Sequence, residues 1–228
     1  MESIRTPRVK ICCIKSVDEA QMAIRHGASA LGFVSAMPSG PGPIPEERIT
    51  EIAAQVPPPI ATFLLTCRTD AASIVDQQRR TRVNTIQLVD RVALADLVEV
   101  RRTLPGVGLV QVIHVEGPQS LAEAKAVAPH VDAILLDSGK PNAEVKEFGG
   151  TGRVHDWTVS AQIREAIPVP VFLAGGLKAE NVPQAIKRVQ PFGLDLCTGV
   201  RTNGNLDEMK LSAFFRGVLA ADYADCAD

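Results

Sequence analysis

The sequence predicts an α/β chain closed into a (β/α)8 (TIM) barrel, and three observations predict it. Strand-like and helix-like runs alternate eight times along the 228 residues. The apolar runs are strand-sized and rich in Val, Ile, Leu and Ala, while aromatics make up only 4% of the chain, the texture of parallel strands buried under helices. No linker-like composition divides the chain, so 1–228 reads as a single domain long enough to bury a sizeable core. Eight βα units in that length close most naturally as a barrel. A doubly wound open sheet is the alternative arrangement of the same elements.

In order, Val9–Cys13 reads as the first strand through its β-branched residues. Ser16 then caps a helix over Val17–His26, with Asp18 and Glu19 in its first turn and Gly27 closing it. Strand and helix follow at Ala28–Ser35 and Glu46–Gln55, Ile60–Leu65 and Asp70–Arg80, and Thr85–Leu88 and Val92–Thr103. The second half repeats the pattern at Gly108–Ile113 and Ser120–Ala128, Val131–Leu136 and Val159–Ala166, Pro170–Leu173 and Ala179–Arg188, and Leu194–Cys197 and Asp207–Ala221. The tail after Leu219 reads as loose. Two connections are too long for simple turns: Ala36–Pro45, with four prolines and two glycines, and Asp137–Asp156. Both follow strands, so in a barrel both lie over the catalytic face, where long loops often act as lids.

Charged residues are 22% of the chain and the formal net charge is −2, which points to neither a nucleic-acid nor a membrane-surface partner. No apolar run is long enough to span a bilayer, and Met1-Glu2-Ser3 opens no signal-peptide core. The five cysteines are odd in number, two are adjacent, and their spacings match no zinc pattern. A reduced, cytoplasmic setting is the expectation. The sequence carries no signal of oligomeric state.

Candidate chemistry gathers where strands end, the place parallel α/β folds use for it. Cys12 sits where the first strand hands over to the first helix. Asp137 closes the apolar run Ala133–Leu136 and stands over the predicted barrel mouth; as a turn or cap residue it would be unremarked. Phe148-Gly149-Gly150-Thr151-Gly152-Arg153 is dense enough in glycine to bring backbone N–H groups to an anion, with Gly150 among them, although it lacks P-loop spacing. Gly175-Gly176 after the seventh strand and Thr198-Gly199 after the eighth predict a phosphate cup of backbone amides, the usual phosphate site of this fold. Lys10 projects to the same side as Cys12 on an ideal strand.

The chain resembles the phosphoribosylanthranilate isomerases of tryptophan biosynthesis over nearly its whole length. The resemblance is carried by Lys10-Ile11-Cys12, Gly27-Ala28 with Leu31-Gly32-Phe33-Val34, Gln87-Leu88, and Leu135-Leu136-Asp137-Ser138. It continues through Gly149-Gly150-Thr151-Gly152 with Asp156-Trp157, Ala174-Gly175-Gly176-Leu177 with Glu180-Asn181-Val182, and Asp195 with Gly199-Val200. It implies an Amadori rearrangement of a small phosphorylated aminoaldose to an aminoketose, with no metal or organic cofactor. It further implies Cys12 as general base, Asp137 as general acid, and Lys10, Gln87 and Asp195 around the substrate. The acid must keep its proton near neutral pH and the base must be a thiolate, so burial should raise the first pKa, and a cation or amide dipoles should favour the second's charge.

Four departures from the family pattern fall near the substrate's aglycone. Cys13 replaces a glycine. Pro38-Ser39-Gly40-Pro41-Gly42-Pro43 replaces an arginine and an aromatic that grip the anthranilate carboxylate. Val89-Asp90 replaces His-Gly, and Arg201 replaces a glutamate. Arg201 is the expected substitute partner for that carboxylate, through two hydrogen bonds; solvation or pairing with an acid of the last helix is its other expected fate. A related isomerase of another phosphorylated aminoaldose or sugar phosphate, and a phosphometabolite-binding barrel without turnover, are the alternative functions.

Overall fold

The computed structural model describes residues 6–139 and 154–224. Eight parallel strands close into a barrel in sequence order, each hydrogen-bonded to the next and β8 to β1. They are β1 (Arg8–Ile11), β2 (Ala30–Val34), β3 (Ala61–Thr66), β4 (Thr85–Leu88), β5 (Gly108–His114), β6 (Ala133–Asp137), β7 (Val171–Leu173) and β8 (Gly193–Leu196). Eight helices alternate with them: α1 (Val17–Arg25), α2 (Glu46–Ala53), α3 (Ala71–Thr81), α4 (Leu94–Thr103), α5 (Gln119–Val127), α6 (Trp157–Ala166), α7 (Val182–Val189) and α8 (Glu208–Ala224). The closed barrel is the expected one, and the open sheet is excluded.

Strand alternation divides the apolar residues into two layers. Val9, Ile11, Leu109, Ile113, Ile134 and Leu136 face outward into a core shared with the helices. Val110, Val112, Ala133, Leu135, Phe172 and Ala174 face inward and fill the barrel. Phe63, Phe172 and Phe192 pack edge to face within the barrel, with centroids 6.0 and 5.5 Å apart. Lys10 stands over Phe63, its ammonium 5.2 Å from the ring centroid.

Element ends follow local chemistry. Ser16 caps α1 by accepting from the Glu19 N–H at 3.1 Å. Asp156 caps α6 by accepting from the Thr158 N–H, so that helix starts at Trp157, two residues before the expected Val159. Residues 178–181 form a turn instead of the first turn of α7, because the Asn181 side chain bonds Lys178 N–H and Gly176 O. β1 ends at Ile11, short of Cys13, which has a left-handed φ of +61°. The last helix continues past Leu219 to Ala224, so 220–224 is helical and not loose, while 225–228 lie outside the described residues.

A two-stranded ribbon, β9 (Arg201–Thr202) and β10 (Asn205–Leu206), precedes α8. It turns through Asn203 and Gly204, both with positive φ. Asn-Gly is the strongest short hairpin signal in a sequence.

Candidate active site

Side chains from seven of the strands or the loops after them meet in one cleft at the carboxyl end of the barrel, roughly 690 Å³ with its open mouth. Cys12, Gln87, Asp137, Asp195 and the turns Gly175-Gly176 and Thr198-Gly199 all line it. Lys10, expected beside the substrate, lies one layer lower. It is fully buried, and its ammonium donates to Asp195 Oδ1 at 2.8 Å.

Gly32 of β2 makes this arrangement possible. A Cβ there would stand 2.9 Å from Cys12 Sγ and 3.0 Å from Lys10 Nζ. The missing methyl is therefore the space in which thiol and ammonium become neighbours. Burial pulls the Lys10 pKa down, but the Asp195 and Cys12 charges and the Asp195 hydrogen bond outweigh it and leave it raised. Lys10 is thus a permanent cation beneath the thiol.

Asp137 ends β6 and is 8% exposed. Burial raises its carboxyl above the usual range, and the Asp195 charge adds to this; the Ser138 N–H, His114 and Lys10 oppose it. The Ser138 N–H donates to Asp137 Oδ1 at 2.7 Å. The outcome is a carboxyl biased toward keeping its proton, as a general acid requires.

His114 is the register partner of Asp137 on β5, and alternation with Val110 and Val112 turns it inward. Its Nε2 lies 2.9 Å from Val89 O. A carbonyl only accepts, so Nε2 carries the hydrogen. The sequence reading passed over this residue. Its signal was the unbroken alternation along Val110, Val112 and His114, which turns an imidazole inward at the carboxyl end of β5.

On the β7–β8 side the cup is built from backbone. Gly175 and Gly176 have φ of +84° and +63°, conformations that favour glycine. Thr198–Val200 forms a short 3-10 turn. A Cβ on Gly199 would meet Leu177 O at 2.0 Å, so the two turns touch and admit no side chain between them. The Asn181 bonds to Gly176 and Lys178 brace the cup. His155 stands against it, with Nδ1 3.1 Å from where a Gly175 Cβ would be and Nε2 2.7 Å from Ser160 Oγ. Burial lowers the His155 pKa to about 4, against a smaller opposing effect of Asp156. Gly150, the remaining residue expected at the phosphate, lies outside the described residues.

The β1–β2 side differs more from expectation. Met37, Ser39, Gly40 and Pro41 of the Pro/Gly loop line the cleft, and the Ile44 N–H bonds back to Val34 O. Cys13 does not point to the far face as strand alternation would require. Its left-handed backbone turns it toward the loop, where Sγ lies 3.5 Å from Pro41 O. A Cβ on Gly42 would come within 2.7 Å of Cys13 Cβ, so loop and cysteine are packed directly together. Arg201 is a correction. It turns away from the cleft to Glu19 of α1, with Nη1–Oε1 at 2.8 Å, and donates through Nη2 to the carbonyls of Cys12 and Cys13. Its acid partner comes from the first helix, not the last, because the ribbon delivers it to the far side of the Cys12–Cys13 turn. No lysine or arginine is among the described residues that line the cleft. Gln87 Oε1 is buried there with no hydrogen-bond partner among them.

A family model described as N-(5'-phosphoribosyl)anthranilate (PRA) isomerase matches residues 9–217. N-(5'-phosphoribosyl)anthranilate isomerase 2 of Methanosarcina mazei is 36% identical over 209 residues, covering 91% of this chain and 92% of the relative. The corresponding isomerase of Haloferax volcanii is 36% identical over 202 residues, covering 88% and 87%. Among solved structures, the phosphoribosyl anthranilate isomerase of Thermotoga maritima superposes with a TM-score of 0.81 at 26% identity, over 94% of this chain and 99% of that one. The similarity runs from β1 into α8 and so takes in both sides of the cleft: this chain belongs to the N-(5'-phosphoribosyl)anthranilate isomerase family.

Proposed function

We propose that this chain isomerises N-(5'-phosphoribosyl)anthranilate to the carboxyphenylamino-deoxyribulose phosphate with Asp137 as acid and Cys12 as base. The observation that carries the assignment is the pairing, in one cleft, of a carboxyl raised by burial with a thiol whose neighbour is the buried Lys10 cation. Asp137 gives its proton to the furanose oxygen as the C1–O bond breaks, leaving an iminium at C1. The Cys12 thiolate then takes the proton from C2. The enol hydroxyl returns a proton to Asp137, and the Cys12 thiol delivers its proton to C1. Both groups are restored, and the aminoaldose has become an aminoketose.

The phosphate is held by Gly175-Gly176 and Thr198-Gly199, with Gly150 as a further contributor. Asp195 and the unpaired Gln87 oxygen accept from sugar hydroxyls, and the Lys10 charge acts through Asp195 and Cys12. The free thiols of Cys12, Cys13, Cys67 and Cys197 suit a reducing cytoplasm. No described helix is long and apolar enough to cross a membrane.

A second reading concerns the aglycone alone. With no cation among the described lining residues, a different phosphorylated aminoaldose is the rival substrate. A lost carboxylate–cation pair costs roughly 2–5 kcal/mol where it is desolvated. Complementation of a tryptophan auxotroph lacking this isomerase, with turnover compared on phosphoribosylanthranilate and an analogue without the carboxylate, decides between them. Growth and preference for the carboxylate support the first substrate. Equal or better turnover of the analogue, without growth, supports the second.

A further inference from the structure

We propose that Arg201 and Glu19 are positioning residues that aim the Cys12 thiol. The inference rests on Cys12 being the base, and it gives the departed residue at 201 a role in the reaction it does not touch. Arg201 is 8% exposed, although it is an arginine on a surface ribbon. Nη1 donates to Glu19 Oε1 at 2.8 Å and to Gly204 O at 3.1 Å. Nη2 donates to Cys13 O at 2.6 Å, Cys12 O at 3.2 Å and Glu19 Oε2 at 3.2 Å. Glu19 also accepts from the Leu206 and Lys15 N–H groups, at 2.9 and 3.0 Å. One nearly buried ion pair thus ties the β1–α1 turn to α1 and to the ribbon.

Burying such a pair is seldom favourable for stability alone, so what it holds matters. It holds a turn that would not hold itself. Cys13 has a left-handed backbone that disfavours any side chain, and such residues persist only where their surroundings over-determine them. Here the Cys12 N–H bonds Leu196 O and the Ile14 N–H bonds Gly32 O, while the guanidinium takes the carbonyls of Cys12 and Cys13. The Cys12–Cys13 turn is therefore fixed from β8, β2 and β9 together, at the three successive peptides from Cys12 N–H to Ile14 N–H. Without the cation, two carbonyls lose their donor and Cys13 can relax toward ordinary φ, which rotates the plane from which Cys12 Sγ reaches the cleft.

The test uses Arg201→Ala, Arg201→Lys and Glu19→Gln, each alone and combined with Cys13→Gly. Two quantities are read: kcat and KM on phosphoribosylanthranilate, and the rate of iodoacetamide alkylation at Cys12, resolved by peptide mass spectrometry without substrate. Arg201→Ala should lower kcat about tenfold or more while KM moves less than about threefold, and should change the Cys12 alkylation rate by at least about threefold. Arg201→Lys should restore most of both. Glycine adopts the left-handed turn freely, so the loss from Arg201→Ala should shrink in the Cys13→Gly background. A folded Arg201→Ala protein with native kcat and native Cys12 alkylation overturns the proposal, as does an equal loss in both backgrounds. If Arg201→Ala does not fold, Glu19→Gln must show both changes in smaller measure, and native values there overturn it. An unmutated chain without turnover removes the functional reading, and the alkylation rates then decide the clamp by themselves.

Discussion

The two sides of the cleft are built from different materials. The β7–β8 side is backbone: positive-φ glycines, a 3-10 turn and a contact at Gly199 too tight for a side chain. The β1–β2 side is made of side chains and a Pro/Gly loop that lean on one another, Cys13 on Gly42 and Arg201 on Glu19. A phosphate makes the same demand of any such barrel, and a glycine turn has few ways to meet it. An aglycone can be gripped by many arrangements, and a side chain can change its task without changing the backbone. The β7–β8 side is therefore where this chain carries the motifs of its resemblance, and the β1–β2 side is where it departs from them.

Four substitutions test how separate the sides are. The largest effect is expected beneath both. Lys10→Met leaves Asp195 charged and unpaired in the barrel, and should cost about 3–5 kcal/mol in urea unfolding. A loss under 1 kcal/mol would mean that Asp195 is not held as an ion. On the β7–β8 side, His155→Gln should flatten the acid limb of stability. The His155 pKa lies near 4 when folded, from an ordinary 6.5. Its contribution is therefore complete above about pH 6.5 and is lost as pH falls toward 4, about 3 kcal/mol in all. Unfolding curves at pH 7 and pH 4.5 should differ less in the variant than in the native chain; an unchanged difference contradicts the assignment. Next in size, Gly199→Ala must push the β8 turn off Leu177, and should raise KM about 10²-fold and abolish competition by inorganic phosphate. Cys13→Gly, on the other side, should leave phosphate inhibition intact. Equal damage to phosphate inhibition from both would show that the two sides are one unit.

The same contrast accounts for what could be read before any fold was known. The barrel was legible because strand-like and helix-like runs alternate eight times, and the first helix even shows its Ser16 cap. The paired turns after β7 and β8 were legible because glycine after a strand has few uses. The first strand was read as reaching Cys13, but a strand holds only while the backbone stays extended, and Cys13 leaves it at φ +61°. Arg201 was assigned to the cleft because the Asn203-Gly204 hairpin went unrecognised, and that hairpin fixes the side of the turn the guanidinium reaches. His114 was missed because a lone histidine ending an apolar strand carries no motif; only its register with Asp137 makes it a neighbour of the acid.

The central claim is the division of labour between Cys12 and Asp137, and turnover of phosphoribosylanthranilate by Asp137→Asn, measured together with its stability, tests it most directly. A carboxyl whose folded pKa is raised favours folding least where it must ionise, so its cost grows as pH rises from the unfolded value through the folded one. Removing that carboxyl should therefore leave the chain at least as stable as the native protein at pH 7, while kcat falls about 10²-fold or more. A variant that keeps a tenth or more of native turnover, or loses turnover only in proportion to lost stability, would contradict the assignment of Asp137 as the acid.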